Sequence, residues 1–92
     1  MHHTILSVRN NGKVGVGSNN PTDALDIISS TGYDQLRMQT SYTPTGSPDT
    51  NGNTVDIARD DNYVYVKTFT GWKRSALSTW QKNTMPQLYF SL

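Results

Sequence analysis

A chain of 92 residues with 34% hydrophobic content and no cysteine describes one small domain. It lies near the size at which burying enough apolar surface becomes difficult, and it has no disulfide to compensate. A formal net charge of +1 gives no bias toward nucleic acid or an anionic membrane. No apolar run approaches the ~20 residues that span a bilayer, and the N-terminus lacks the apolar stretch of a secretory signal.

Glu is absent, Ala occurs three times, and Ser, Thr, Asn and Gln together number 33. Strong helix formers are therefore scarce and turn and strand formers abundant, which sets the expected class as all-β, built from short antiparallel strands. A polar β-domain without staples gains stability from a partner surface, so a homo-oligomer is the expected state.

In chain order, residues 4–9 form a short β-compatible run closed by the turn signal Asn10-Asn11-Gly12. Lys13 to Gly17 follows as a strand whose glycines let another backbone approach closely. A loop with Pro21 leads to ALDIIS, residues 24–29, which reads as a strand ended by Ser30-Thr31-Gly32. Residues 34–41 alternate, Leu36, Met38 and Thr40 against Gln35, Arg37 and Gln39, as a half-buried strand does. Residues 42–52, with two prolines and two glycines, are expected to be a surface loop or a linker between subdomains.

The stretch from Asn53 to Leu77 predicts a three-stranded β-meander. Val55 to Asp60 alternates, and Asp60-Asp61-Asn62 makes a turn. Tyr63 to Phe69, YVYVKTF, is rich enough in β-branched and aromatic residues to be covered on both faces. Thr70-Gly71 turns the chain into a third strand from Trp72 to Ala76. The domain plan is thus N-terminal strands over 1–41, a loop over 42–53, the meander over 54–77 and a tail over 78–92. The tail ends on Leu88, Tyr89, Phe90 and Leu92, which carry no charge between them. Such a segment is expected to be covered by a neighbouring subunit or a larger particle.

The residues that carry a surface are of two kinds. Val14, Val16, Leu25 and Ile27 are expected in a core or an interface, and so are Tyr63, Tyr65, Trp72 and Trp80. The aromatic set, with Asp and Asn nearby, has the composition of a sugar-stacking platform, but cross-strand pairing in a core or interface is the better explanation in a meander. Asp56, Asp60, Asp61 and Asn62 are oxygen donors in a tight space, but they lack the spacing of a calcium loop, and turn chemistry accounts for them. His2 and His3 have no acidic or thiol neighbour to complete a metal site. Lys67, Lys73 and Arg74 make a local positive patch of the kind found on a solvated strand face. No serine, cysteine or internal histidine stands in a catalytic context, so neither an enzyme nor a cofactor is expected.

Two stretches resemble a known group of proteins. VGVGSNNPTDALDI, Val14 to Ile27, is similar to the glycine-rich turn motif of bacteriophage tail fibres and related surface fibres. Residues 43–77, containing Asp56-Ile57-Ala58, Asp60-Asp61-Asn62-Tyr63 and Gly71-Trp72-Lys73-Arg74, resemble a module of phage virion proteins, particularly those of cyanophages. Together they cover about half of the chain. The module has Gly where this chain has Val55, and an aromatic or apolar residue where it has Arg59. Arg59 is then expected to face solvent or to pair with Asp56 or Asp61.

The resemblance implies a virion structural protein on the particle exterior, assembled in the host cytoplasm, homotrimeric and intertwined if fibre-like. It would be part of a tail fibre or spike, or a capsid-decoration (cement) protein beside other virion proteins. A complete chain of this length starting at Met1 would suit a short accessory, spike or cement protein, and an excised piece would suit a tail fibre. The alternative is a carbohydrate-binding, lectin-like domain recognising a host surface glycan. Neither nucleic acid nor membrane insertion is expected.

Overall fold

The computed structural model describes residues 6–80; the tail residues Leu88, Tyr89, Phe90 and Leu92, and His2 and His3, lie outside them. Among the described residues there is no helix, and the fold is all-β. The strands are β1 (Leu6–Val8), β2 (Val14–Val16), β3 (Leu25–Ile27), β4 (Ile57–Arg59), β5 (Tyr63–Thr68) and β6 (Gly71–Ala76). They form two separate three-stranded sheets, ordered β1-β2-β3 and β4-β5-β6, one in each of two compact units, Met1–Arg37 and Met38–Leu92.

In the first unit β1 and β2 are antiparallel, with Leu6 opposite Val16 and Val8 opposite Val14. Gly12, at φ +89°, makes the reversal at the tip of this hairpin, and its N–H donates to the Arg9 carbonyl at 3.0 Å. β2 and β3 pair in parallel, Val14 opposite Leu25 and Val16 opposite Ile27, an exception among the described strands to the expected antiparallel pairing, which the other strand pairs follow. A parallel pair needs a crossover, normally a long one. Here residues 17–24 suffice because the glycines of VGVG let the connection lie directly on the sheet. A Cβ on Gly15 would meet the Ser18 carbonyl oxygen at 2.2 Å, and one on Gly17 would meet that of Ile28 at the same distance. The close-approaching backbone is therefore the chain's own.

The strand expected over residues 34–41 does not form. Asp34 is held in a local turn instead, its Oδ1 accepting from the Ser29 and Thr31 hydroxyls at 2.6 Å each. The Gln35 side-chain amide donates to the Gly32 carbonyl at 3.0 Å. The alternation was genuine, but no neighbouring strand offers a ladder, and short polar side chains compete for the backbone. Leu36 is left 73% exposed.

The second unit is the expected meander. Ile57 pairs with Val66 and Arg59 with Val64, while Tyr65 pairs with Arg74 and Val66 with Lys73. Phe69 and Thr70 form the second turn, one residue earlier than the sequence suggested, and Gly71 enters β6 at φ +118°. At the start of β4 the ladder carries an extra residue. The Val55 N–H donates to the Lys67 carbonyl at 2.7 Å, and the Lys67 N–H donates to the Asp56 carbonyl at 2.9 Å, so Val55 and Asp56 together oppose Lys67. Val55 is the one non-glycine residue with positive φ among those described, at +71°. It is also the third residue of a turn closed by Asp56 N–H on the Asn53 carbonyl at 2.9 Å. A left-handed third residue defines a type II turn, and a left-handed first bulge residue defines the G1 bulge, both of which favour glycine.

Candidate functional site

Strand alternation divides the meander into two faces. One carries Tyr63, Tyr65 and Lys67 of β5 with Trp72 and Arg74 of β6, and over it lies the segment 42–52. This segment, expected as a surface loop or linker, is bonded to the meander along its length. The Trp72 N–H donates to the Ser47 carbonyl at 3.0 Å and its indole Nε1 to the Asn51 carbonyl at 3.1 Å. Lys67 Nζ donates to the Asp49 and Asn51 carbonyls at 2.9 and 2.8 Å and sits 5.6 Å from the Trp72 ring centroid. The Tyr42 ring packs against Trp72 with centroids 6.0 Å apart. Tyr65 and Trp72, exposed by only 3% and 7%, are the buried hydrophobic side chains of the described chain.

Two aspartates fix the ends of this cover. The Asp49 carboxylate accepts from the Tyr42 hydroxyl and from the Thr45 and Asn51 N–H groups at 2.9 and 2.8 Å. The tyrosine bond, followed by the backbone donors, lowers its pKa to about 2. Asp60 accepts from the Thr43 hydroxyl at 2.5 Å, the Tyr65 hydroxyl at 2.6 Å and the N–H groups of Asn62 and Tyr63 at 2.8 and 2.9 Å. The threonine and tyrosine hydroxyls are the main reason its carboxyl lies far below the usual range. A carboxylate saturated by donors is a structural anchor. Among the described residues no group of three or more His, Cys, Asp or Glu is placed to hold a metal ion.

Arg59 neither faces open solvent nor pairs with Asp56 or Asp61. Its guanidinium Nε and a terminal nitrogen grip the Met38 carbonyl at 2.9 and 2.7 Å, and that nitrogen also reaches the Gln39 carbonyl at 2.7 Å. With Tyr42 N–H on the Arg59 carbonyl at 3.0 Å, this ties residues 38–42 along the free edge of β4. A side chain that departs from the resembled module thus performs a local structural task.

The aromatic residues do not pair across strands. Tyr63 and Tyr65 lean on each other along one strand, with centroids 5.7 Å apart, and the Arg74 guanidinium lies 4.1 Å from the Tyr63 ring centroid. Trp72 and Tyr65 are roofed by the 42–52 segment, while Trp80 is 88% exposed, so the four do not make one open stacking platform. The three cations are divided as well. Lys67 turns under the loop, Arg74 covers Tyr63, and Lys73 lies on the opposite face. A groove of about 330 Å³ beside the roofed face has Pro44, Ser47, Trp72, Lys73 and Arg74 among its walls.

The opposite face of the meander is left uncovered by the described residues of its own unit. Ile57 is 58% exposed, Val64 and Val66 are each 36% exposed, and the two valines line a shallow hollow of about 170 Å³ with Lys73 and Ser75. The expectation that β5 is covered on both faces is met by the described residues of this unit on one face only. In the first unit Val14 and Ile27 are half-buried and Val16 and Leu25 exposed. Comparison with family models, with curated proteins and with solved structures returns no match.

Proposed function

We propose that the chain is a homo-oligomeric structural module of a phage virion, part of a tail fibre or spike or a capsid-decoration (cement) element on the particle exterior. It serves assembly, particle stability or host attachment, without catalysis. The observation that carries this reading is the imbalance of its apolar surface: two hydrophobic side chains are buried, while fifteen large ones are exposed among the described residues. A monomer in water rarely leaves so much uncovered, whereas an obligate assembly uses such surface as its shared core. The resemblance of residues 14–27 and 43–77 to phage fibre and virion modules supplies the biological setting, and a trimer is the assembly such fibres use.

The carbohydrate-binding reading rests on the same aromatic residues. Its support is weaker, because the rings of Tyr65 and Trp72 are roofed and that of Tyr63 is capped by Arg74.

Light scattering at micromolar concentration tests the oligomer directly, and a cooperatively folded monomer refutes it. Electron micrographs of virions made with and without the protein test its place on the particle. If Trp72→Ala abolishes binding to a glycan array without lowering the melting temperature, the lectin reading replaces this one.

A further inference from the structure

The two edges of the meander are treated differently. Along β4 the chain closes the edge itself: the Tyr42 N–H donates to the Arg59 carbonyl at 3.0 Å, and the Arg59 guanidinium holds residues 38 and 39 beside it. β6 is the other outer strand. Its Trp72 N–H points away from β5, because it donates to the Ser47 carbonyl at 3.0 Å. Main-chain groups along an antiparallel strand alternate in direction from one residue to the next. Those of Arg74 therefore point outward as well, while Lys73 and Ser75 face Val66 and Val64 of β5. The Leu77 N–H, which returns to the Asn62 carbonyl at 2.8 Å, has the same phase as Lys73 and Ser75. Past Ser47, no described residue bonds to the outward N–H and C=O of Arg74, and residues 73–76 are all exposed.

We infer that this length of β6 is a docking edge for an extended acidic segment of another protein, which adds to the meander as a fourth strand, antiparallel to β6. The edge is separate from the apolar surfaces on which the homo-oligomeric reading rests.

Charge selects the occupant. Lys73 and Arg74 are neighbours on one strand and so project to opposite faces of the sheet, which flanks anything laid along the edge with a cation on each side. Arg74 rests on the Tyr63 ring, and no described carboxylate is paired with either residue. Opposite charges directly across a strand pair stabilise it, and like charges destabilise it. A second copy of β6 centred on this position would set Arg74 against its own equivalent, so cations here keep identical edges apart. A segment with two consecutive acidic residues instead pairs one with each cation. The groove of about 330 Å³ lies at the same place, lined by Pro44, Ser47, Tyr65 and Trp72 beside Arg74. It offers the incoming strand an apolar socket on the Arg74 face. Main-chain bonds then hold the segment, and the cations and the socket choose its side chains, as strand addition to an open edge requires.

Amide exchange of the isotopically labelled full chain tests the edge, with the end-capped peptide Val-Thr-Glu-Glu-Val as the probe. In the protein alone the Arg74 amide is expected to exchange more than an order of magnitude faster than those of Lys73 and Ser75. With the peptide it slows toward theirs, and the effect weakens as salt is raised. N-methylation of the first glutamate, which removes the N–H that faces the Arg74 carbonyl, is expected to abolish binding. N-methylation of the second, whose N–H faces away from β6, leaves it intact. The double variant Lys73→Glu, Arg74→Glu is expected to release this peptide and to bind the same peptide with lysines in place of its glutamates.

An Arg74 amide that is already slow in the protein alone means that the chain or another copy of it covers the edge, and overturns the proposal. So does an amide that stays fast at millimolar peptide. If the lysine peptide protects the wild-type edge as well as the glutamate peptide does, the two cations do not choose the occupant, and an acidic partner is ruled out.

Discussion

Replacing Val55 by glycine is expected to stabilise the protein. The residue sits at φ +71° as the third residue of the Asn53–Asp56 turn and the first of the bulge opposite Lys67. A left-handed backbone brings Cβ against the carbonyl oxygen and costs a non-glycine residue roughly 1–2 kcal/mol, with a β-branched residue at the upper end. Glycine removes that strain but adds about 0.4–1 kcal/mol of unfolded-state entropy. The lost side chain is 75% exposed, so the forfeited burial is a small part of the ~1.5 kcal/mol that a fully buried valine contributes. The balance is about 0.5–1 kcal/mol in favour of glycine, which for a domain of this size raises the melting temperature by about 2–8 °C.

Val55→Ala separates the causes, since it loses the same valine side chain but keeps the Cβ strain. It should be less stable than the glycine variant, and Val55→Asn should fall between wild type and glycine. Circular-dichroism melts at one fixed protein concentration make the comparison, because association shifts the transition by mass action. If glycine is no better than alanine, the left-handed turn is not what limits stability at this position, and the argument fails.

Stability should be lost at both ends of the pH scale. Asp49, held at about 2, and Asp60, held lower still, have folded values below the ~3.9 of an unfolded aspartate, so their contribution is present above that value and disappears as pH falls from about 4 toward 2. Tyr42, raised mainly by its bond to Asp49, and Tyr65, raised mainly by burial, contribute below the ~10 of an unfolded tyrosine and cease to as pH rises through their folded values. Melting temperature against pH should show a plateau between, and Asp60→Asn should flatten the acid limb; an unchanged limb refutes the anchor. Trp72→Ala is expected to cost about 3–5 kcal/mol in denaturant unfolding, and Trp72→Phe, which loses the indole bond to Asn51, clearly less. Equal losses would mean that the hydrogen bond, not the ring, holds the cover. Gly15→Ala should destabilise the first unit by about 1–3 kcal/mol, because its Cβ would stand 2.2 Å from the Ser18 carbonyl oxygen, and amide exchange in β2 would accelerate. Unchanged exchange would show that the crossover yields without cost.

The meander was legible because the local signals agreed to within a residue: alternation in β4, a β-branched and aromatic run in β5, a turn after Asp60, and a turn just before Gly71. The parallel pairing of β3 was not legible, since nothing local in LDI distinguishes its direction; the close approach allowed by Gly15 and Gly17 decides it. The alternation of residues 34–41 was a true pattern without a partner strand, and period alone cannot supply one. The covering role of residues 42–52 was hidden by their loop composition, because the contacts that fix them come from Lys67 and Trp72, distant in sequence. Val55 and Arg59 stood out as departures from the resembled module. The first is a strained turn residue and the second a clamp on residues 38–39, consequences that only the three-dimensional arrangement makes visible.

The way the roof of the meander is held bears on how this protein can change over generations. The meander reaches that segment through its main-chain carbonyls, those of Ser47, Asp49 and Asn51, with the Thr43 hydroxyl on the Asp60 carboxylate as a side-chain tie and the Asp49 carboxylate bracing the segment internally. Main-chain carbonyls are present whatever residue occupies the position. Thr45, Pro48 and Thr50, whose side chains are exposed, can therefore be exchanged for others while the path of the loop is retained. The arrangement separates shape from surface chemistry: a fixed scaffold carries a short, outward-facing stretch that is free to diversify, a useful property in any surface under pressure to alter what it meets.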